Sequence, residues 1–160
     1  MKTLTEEEAL NKIAALCSSS EYCINDVTEK LKKWQMASGT ISCIIKKLVE
    51  NKFIDEKRYA KAFVRDKYRF NKWGVVKICQ ALRLKNIPEK IINPAIEEID
   101  RKEYLDNLKT LLHSKEKTIQ ANNEYERWAK LTKFALSRGF EMKDIQIIIG
   151  KTNDFKSSFD

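Results

Sequence analysis

One spacing of apolar residues recurs three times along this chain. With Met36, Ile87 and Phe140 as anchors, the residues five, eight and nine positions further on are Ile41, Ile44 and Ile45, then Ile92, Ala95 and Ile96, then Ile145, Ile148 and Ile149. Five positions before the anchors stand Leu31, Leu82 and Ala135. Steps of three and four residues put side chains on one face of a helix. Recurrence at intervals of about 50 residues is the mark of a repeat whose copies each bury too little to stand alone. The expected fold is therefore all-α: three tandem three-helix repeats, about nine helices, stacked into an elongated, curved array of undetermined hand. The repeats are expected at 1–53, 54–99 and 100–150, with 151–160 a disordered tail. A single compact bundle using the same helices is the alternative.

Composition agrees with helices. Only 4 Gly and 2 Pro occur in 160 residues, too few for the many tight turns of a β-sandwich or barrel. Local signals mark the helix ends. Thr5 and Glu8 have the spacing of a capping box, as do Asp100 and Glu103. Asn25 or Asp26 is expected to cap the second helix, Asp55 the fourth, and Asn123 with Glu126 the eighth. Asn86 and Gly139 suit left-handed stops. Pro88 suits a first turn, whereas Pro94, inside the sixth helix, predicts a kink or a short helix.

Charge is concentrated in one segment. Between Lys57 and Lys90 eleven Lys and Arg face only Asp66 and Glu89, while the whole chain nets +8. The remainder is thus slightly acidic on balance, and the basic character points to one surface for an anionic or acidic partner. On a helix from residue 55 to about 71, Arg58, Lys61, Arg65, Arg69 and Lys72 fall on one stripe. Tyr59, Ala60, Phe63, Val64 and Phe70 fall mostly opposite, and Lys67 lies toward the apolar side, where it can snorkel. Lys77, Arg83 and Lys85 follow on the next helix. A merely solvated helix would interleave acids with these bases. The stripe fits phosphates or an acidic protein surface, and charge alone does not separate them. Packing is the plainer role for Tyr68, Phe70 and Trp73, and base stacking is the other. Trp34 and Trp128 read as packing residues.

Signs of catalysis are few. Cys17, Cys23, Cys43 and Cys79 match no metal-binding spacing and read as reduced thiols. His113, the only histidine, assembles no nucleophile–base pair. There is no P-loop and no GxGxxG. The N-terminus has no apolar signal core and no stretch approaches membrane-spanning length. The expectation is a non-enzymatic, cytoplasmic, monomeric protein without cofactor or metal and with no membrane partner.

The run from Phe53 to Arg65, FIDEKRYAKAFVR, resembles the signature of RecX regulatory proteins, in which an Ile/Leu-Asp-Asp/Glu turn leads into Arg-Tyr-Ala and a basic helix. Gly74 and the stretch Ile78…Ala81-Leu82-Arg83-Leu84-Lys85-Asn86-Ile87 resemble the family's following element. Looser matches lie at Val27…Leu31 with Ile44…Leu48, and at Arg138-Gly139-Phe140 with Ile145…Ile149. Asn86 and Lys52 stand where the family often has Gly. The resemblance implies tandem three-helix repeats and binding to the bacterial recombinase RecA as its filament on single-stranded DNA. It also implies restraint of ATP hydrolysis, strand exchange and repressor co-cleavage. Arg58, Lys61, Arg65, Arg69, Lys72, Lys77, Arg83 and Lys85 are the residues expected to meet RecA or DNA. The other reading is a helical DNA-binding protein acting through phosphates without RecA.

Overall fold

The computed structural model describes residues 3–151, so 152–160 of the expected disordered tail lie outside the described residues, while Lys151, its first residue, ends a helix instead. Among these residues there are nine helices and no strand: α1 (Glu6–Ser19), α2 (Ile24–Lys33), α3 (Ser38–Glu50), α4 (Glu56–Arg69), α5 (Val75–Leu84), α6 (Glu89–Glu97), α7 (Arg101–Glu116), α8 (Glu124–Ser137) and α9 (Met142–Lys151). Packing divides the chain into two compact units. Met1–Phe63 with Leu82–Ala95 makes the first, and Val64–Ala81 with Ile96–Asp160 the second.

The repeat shows most clearly in its turns. Where α2, α5 and α8 end, the chain passes through a left-handed residue, at Gln35 (φ 60°), Asn86 (φ 61°) and Gly139 (φ 94°). In each case the anchor that follows donates its amide to the carbonyl five residues back. Met36 reaches Leu31 at 3.1 Å, Ile87 reaches Leu82 at 3.2 Å, and Phe140 reaches Ala135 at 3.2 Å. The left-handed residue itself donates three residues back, at 2.9, 2.9 and 3.0 Å. This is the Schellman arrangement, which satisfies carbonyls that a helix end leaves orphaned. The apolar offsets therefore mark a repeated turn as well as repeated helical faces.

In the first unit Ile13 and Cys17 of α1, Val27 and Leu31 of α2, and Ile41, Ile44 and Leu48 of α3 form a buried cluster with Ile54. Trp34, Met36 and Phe53 pack against it. In the second unit Tyr104, Leu108 and Leu112 of α7 meet Leu131 and Ala135 of α8, with Phe140 and with Ile145, Ile148 and Ile149 of α9. The Tyr104 and Phe140 rings lie 5.2 Å apart. Each such Leu or Ile stabilises its unit by about 1.5–3 kcal/mol through burial. Trp34 and Trp128 are both packing residues, as expected.

Caps differ from expectation at three helices. The N-cap of α2 is Cys23, whose Sγ accepts the Asp26 amide at 3.4 Å while the Asp26 carboxylate accepts the Cys23 amide at 3.5 Å. Asp26 thus occupies the reciprocal position of the box, not the cap. At α7 only half of the expected box forms. Asp100 Oδ1 accepts the Glu103 amide at 3.1 Å, but the Glu103 carboxylate turns away to accept from Arg69 at 3.1 Å. A guanidinium is a stronger partner than a neutral amide, so the ion pair takes the carboxylate. The Thr5–Glu8 box is complete. Asn123 caps α8 at 2.7 Å, but the Glu126 carboxylate expected to act with it accepts the Asn122 amide at 3.4 Å instead. Pro94 lies within a short α6.

Candidate regulatory interface

The helix α4 carries the stripe. Asp55 accepts the Arg58 amide at 3.1 Å and so fixes where α4 begins. Tyr59, Ala60 and Val64 are buried, while Arg58, Lys61, Arg65 and Arg69 are exposed. The two faces expected for this helix are present. The stripe ends earlier than expected, because α4 stops at Arg69 and Lys72 sits in the turn beyond it, left-handed at φ 56° and partly buried. Phe70 also leaves the helical pattern. It lies past the last helical residue and is 79 % exposed, so it does not pack.

The basic residues divide by what they hold. In the first unit Arg58 Nε donates to Glu21 Oε1 at 2.6 Å, and its Nη2 donates to the carbonyls of Lys52 and Phe53 at 3.2 and 3.4 Å. It ties the start of α4 to the turn before it, where Lys52 is left-handed at φ 60°. Arg83 Nη2 reaches Glu89 Oε2 at 3.3 Å, and Arg83 holds the Glu89 carboxyl below its ordinary range. Lys85 pairs with Asp26, beside the bond from Asn86 to Asn25 at 3.1 Å. Asp26 is the hub of this region. Burial first, and then the Asp26 charge, raise the Tyr59 phenol and the Glu56 carboxyl above their ordinary values.

In the second unit Arg69 pairs with Glu103, and Tyr68 donates to the same carboxylate at 3.4 Å. The Asn107 amide donates to the Tyr68 carbonyl at 2.8 Å, filling an orphan acceptor at the end of α4. Lys67 and Lys77 lie over the Trp73 ring, 4.8 and 4.5 Å from its centroid. That contact gives Lys67 the anchorage its apolar-side position requires. Arg65 is exposed and makes no ion pair among the described residues. The stripe is thus part brace and part open charge: Arg58, Arg69, Arg83 and Lys85 each carry a carboxylate of their own unit. Reading charges along the chain could not reveal these partners, since Glu21 and Glu103 lie more than 30 residues from the arginines they meet.

The start of α5 is locked by backbone. Gly74, Val75 and Val76 donate their amides to Arg138 O at 2.8 Å, Tyr104 Oη at 2.9 Å and Gly139 O at 2.9 Å. Three of the four amides that a helix start leaves unsatisfied are therefore already used.

His113 is exposed and borders an apolar cavity of 360 Å³ with Leu112, Leu131, Ile148 and Ile149. Among the described residues no cluster of three or more His, Cys, Asp or Glu could hold a metal, and no helix is long and apolar enough to cross a membrane.

Comparison with known proteins adds the lineage of this arrangement. Residues 55–96 match the family model described as RecX, second three-helix domain, and residues 102–149 match RecX, third three-helix domain. The Regulatory protein RecX of Bacillus cytotoxicus is 28% identical over 131 residues, covering 82% of this chain and 48% of the relative. That of Bacillus mycoides is 25% identical over the same coverage. The chain spans about half the length of the curated relatives it matches. A crystal structure of RecX from Lactobacillus salivarius superposes with a TM-score of 0.79 over 92% of this chain and 96% of its own, at 23% identity. A crystal structure of a regulatory protein RecX gives a TM-score of 0.83 over 91% of this chain and 73% of its own, also at 23% identity. At this identity the structural likeness speaks for the fold.

Proposed function

This chain belongs to the RecX family of regulatory proteins, and from that premise we propose that it binds the RecA filament on single-stranded DNA and restrains its activity. It does so by occupancy, without catalysis of its own and without a cofactor, in the cytoplasm where the recombinase works. The restrained activities are ATP hydrolysis, strand exchange and repressor co-cleavage. The observation that carries this reading is the outward face of α4, where Arg65 presents an exposed guanidinium with no acid of its own among the described residues. An exposed cation left without an acid is available to a partner at no cost in internal pairs.

Arg58, Lys61, Arg65, Arg69, Lys72, Lys77, Arg83 and Lys85 remain the proposed contact set, with Arg65 as its first test. Arg65→Glu leaves the described ion pairs intact and reverses one open charge. It should weaken inhibition of RecA's DNA-dependent ATPase about tenfold while leaving helix content unchanged, as for a charge at an electrostatically matched interface. Undiminished inhibition by this variant would remove α4 from the contact.

A second reading, direct binding of DNA without RecA, draws on the aromatic residues between the lysines of the second unit. Titration of bare single- and double-stranded DNA across salt separates the two. Tight binding with a steep salt slope and no effect on RecA favours the second.

A further inference from the structure

Residues 67–77, all within the second unit, hold one bare aromatic ring among gathered cations. Phe70 is 79 % exposed. Its backbone is nonetheless held, since its amide donates to the Asp66 carbonyl at 2.9 Å and the turn behind it is closed by Trp73 N–H on Lys67 O at 3.0 Å. Trp73 is half-buried, and the Lys67 and Lys77 ammonium groups sit 4.8 and 4.5 Å from its centroid. Cation–π attraction at such sites works against the repulsion of bringing two lysines together. The stretch from Lys67 to Lys77 contains Lys67, Arg69, Lys72 and Lys77 and no acid. Glu103 engages Arg69.

A ligand that suits this arrangement offers a flat apolar face and negative charge together. An acidic protein surface supplies the charge but no plane for the ring. Duplex DNA supplies phosphates but keeps its bases stacked on one another. A single strand supplies both, with unstacked bases for an aromatic side chain and phosphates for cations. We infer that residues 67–77 are a contact for single-stranded nucleic acid, in which a base stacks on Phe70 and phosphates meet Lys72 and Lys77. This rests on the reading above and deepens it: in this part of the surface the partner is the strand.

The test uses the full chain with a labelled oligothymidylate and a sugar–phosphate strand of equal length lacking bases, by fluorescence anisotropy at one fixed salt concentration. Phe70→Ala should weaken oligothymidylate binding about tenfold, the scale of one lost base–aromatic stack. It should leave binding to the baseless strand unchanged, and Phe70→Tyr should stay within about twofold of the parent because it keeps the ring. The exposure of Phe70 makes a folding defect an unsuitable explanation for a loss seen on one strand alone. Equal binding of the parent and Phe70→Ala to oligothymidylate overturns the inference, as does an equal loss on both strands. Failure of the parent to bind either strand overturns it too and leaves an acidic protein surface as the occupant. RecA ATPase inhibition by the parent protein is measured apart. Absence of that inhibition defeats the filament reading without touching the Phe70 result, and a failed Phe70 result leaves the filament reading standing.

Discussion

The helices α2 and α8 hold equivalent places in the first and third copies of the repeat, yet they are secured by different chemistry. α2 starts at a buried cysteine and ends at Gln35, an exposed residue in left-handed geometry. α8 starts at an exposed asparagine and ends at Gly139. The turn is the same, and its surroundings are not. At Gly139 a β-carbon would stand 2.4 Å from Lys77 Cβ and 2.7 Å from Lys77 N. At Gly74, on the facing backbone, a β-carbon would stand 2.2 Å from the Gly139 carbonyl carbon. The α8 turn has become a place where two backbones touch and exchange hydrogen bonds. Glycine at the end of α8 is required by packing, whereas at the end of α2 the turn asks only for tolerance of positive φ.

The largest effect follows from that contact. Gly139→Ala adds a left-handed alanine and a steric overlap with backbone, a combined cost of about 4 kcal/mol. Gln35→Ala keeps its geometry and loses an exposed side chain, so it should move stability by less than about 0.5 kcal/mol. Urea unfolding of the two variants checks the contrast. A loss below about 1 kcal/mol for Gly139→Ala would mean that the starts of α5 and α9 adjust around the turn, and the comparison would lose its basis.

Next in size is the residue whose carbonyl each turn caps. Leu31 is fully buried in the first unit, and Ala135 holds the corresponding place in the second. Leu31→Ala makes the two alike in sequence but leaves a cavity, because Ile13, Ile44 and Leu48 are packed to the larger side chain. The expected loss is about 3 kcal/mol. A value under 1 kcal/mol would show that α2 settles onto its neighbours as α8 does around Ala135.

Much of this was legible in the sequence, and the reasons for the remainder are specific. Periodicity placed the helical faces because each helix buries one side, and the Thr5–Glu8 box formed because both partners lie within one turn. Positive φ at Asn86 and Gly139 followed from their residue types, but Gln35, Lys52 and Lys72 adopt it too, with no type signal to announce it. Cys23 was hidden as a cap because a thiol is a weak acceptor and cysteine reads first as an apolar residue. Phe70 was misplaced because helical spacing was extended past Arg69, where the helix stops. The stripe on α4 was visible as charge, but which of its cations act as braces depends on acids distant in the chain.

The two helix starts also differ in what pH does to them. Burial pushes the Cys23 thiol up to about 11 from an ordinary value of 9. A raised value means that the folded state holds the proton more tightly. This contribution is complete below pH 9 and is lost as pH climbs through about 11. The Tyr59 phenol, raised by burial, adds to the loss at higher pH. At α8 the sign is opposite. Lys130 lowers the Glu126 carboxyl below its ordinary 4.5, so its contribution is present above pH 4.5 and fades as pH falls further. Cys23→Ser should flatten the decline between pH 9 and 11 in a stability profile and leave the acid limb alone. An unchanged alkaline limb would exclude the Cys23 thiol as its source.

The smallest effect brings the α2 turn toward the α8 turn. Gln35→Gly removes the left-handed penalty of an L-residue, about 1–2 kcal/mol, and adds backbone entropy to the unfolded chain, about 0.5–1 kcal/mol. The terms oppose, and the difference favours the variant by about 0.5 kcal/mol. With urea m-values of about 1–3 kcal/mol/M, the midpoint should rise by about 0.2–0.5 M at constant m. The reverse exchange at the other turn, Gly139→Gln, should fail as badly as Gly139→Ala or worse, because a longer side chain meets the same backbone. A gain at Gln35 beside a collapse at Gly139 would establish that the two turns share geometry and differ in what they touch. If Gln35→Gly instead destabilised the chain, the exposed glutamine would be making a contribution that its left-handed geometry does not disclose, and the two turns would no longer differ only in their surroundings.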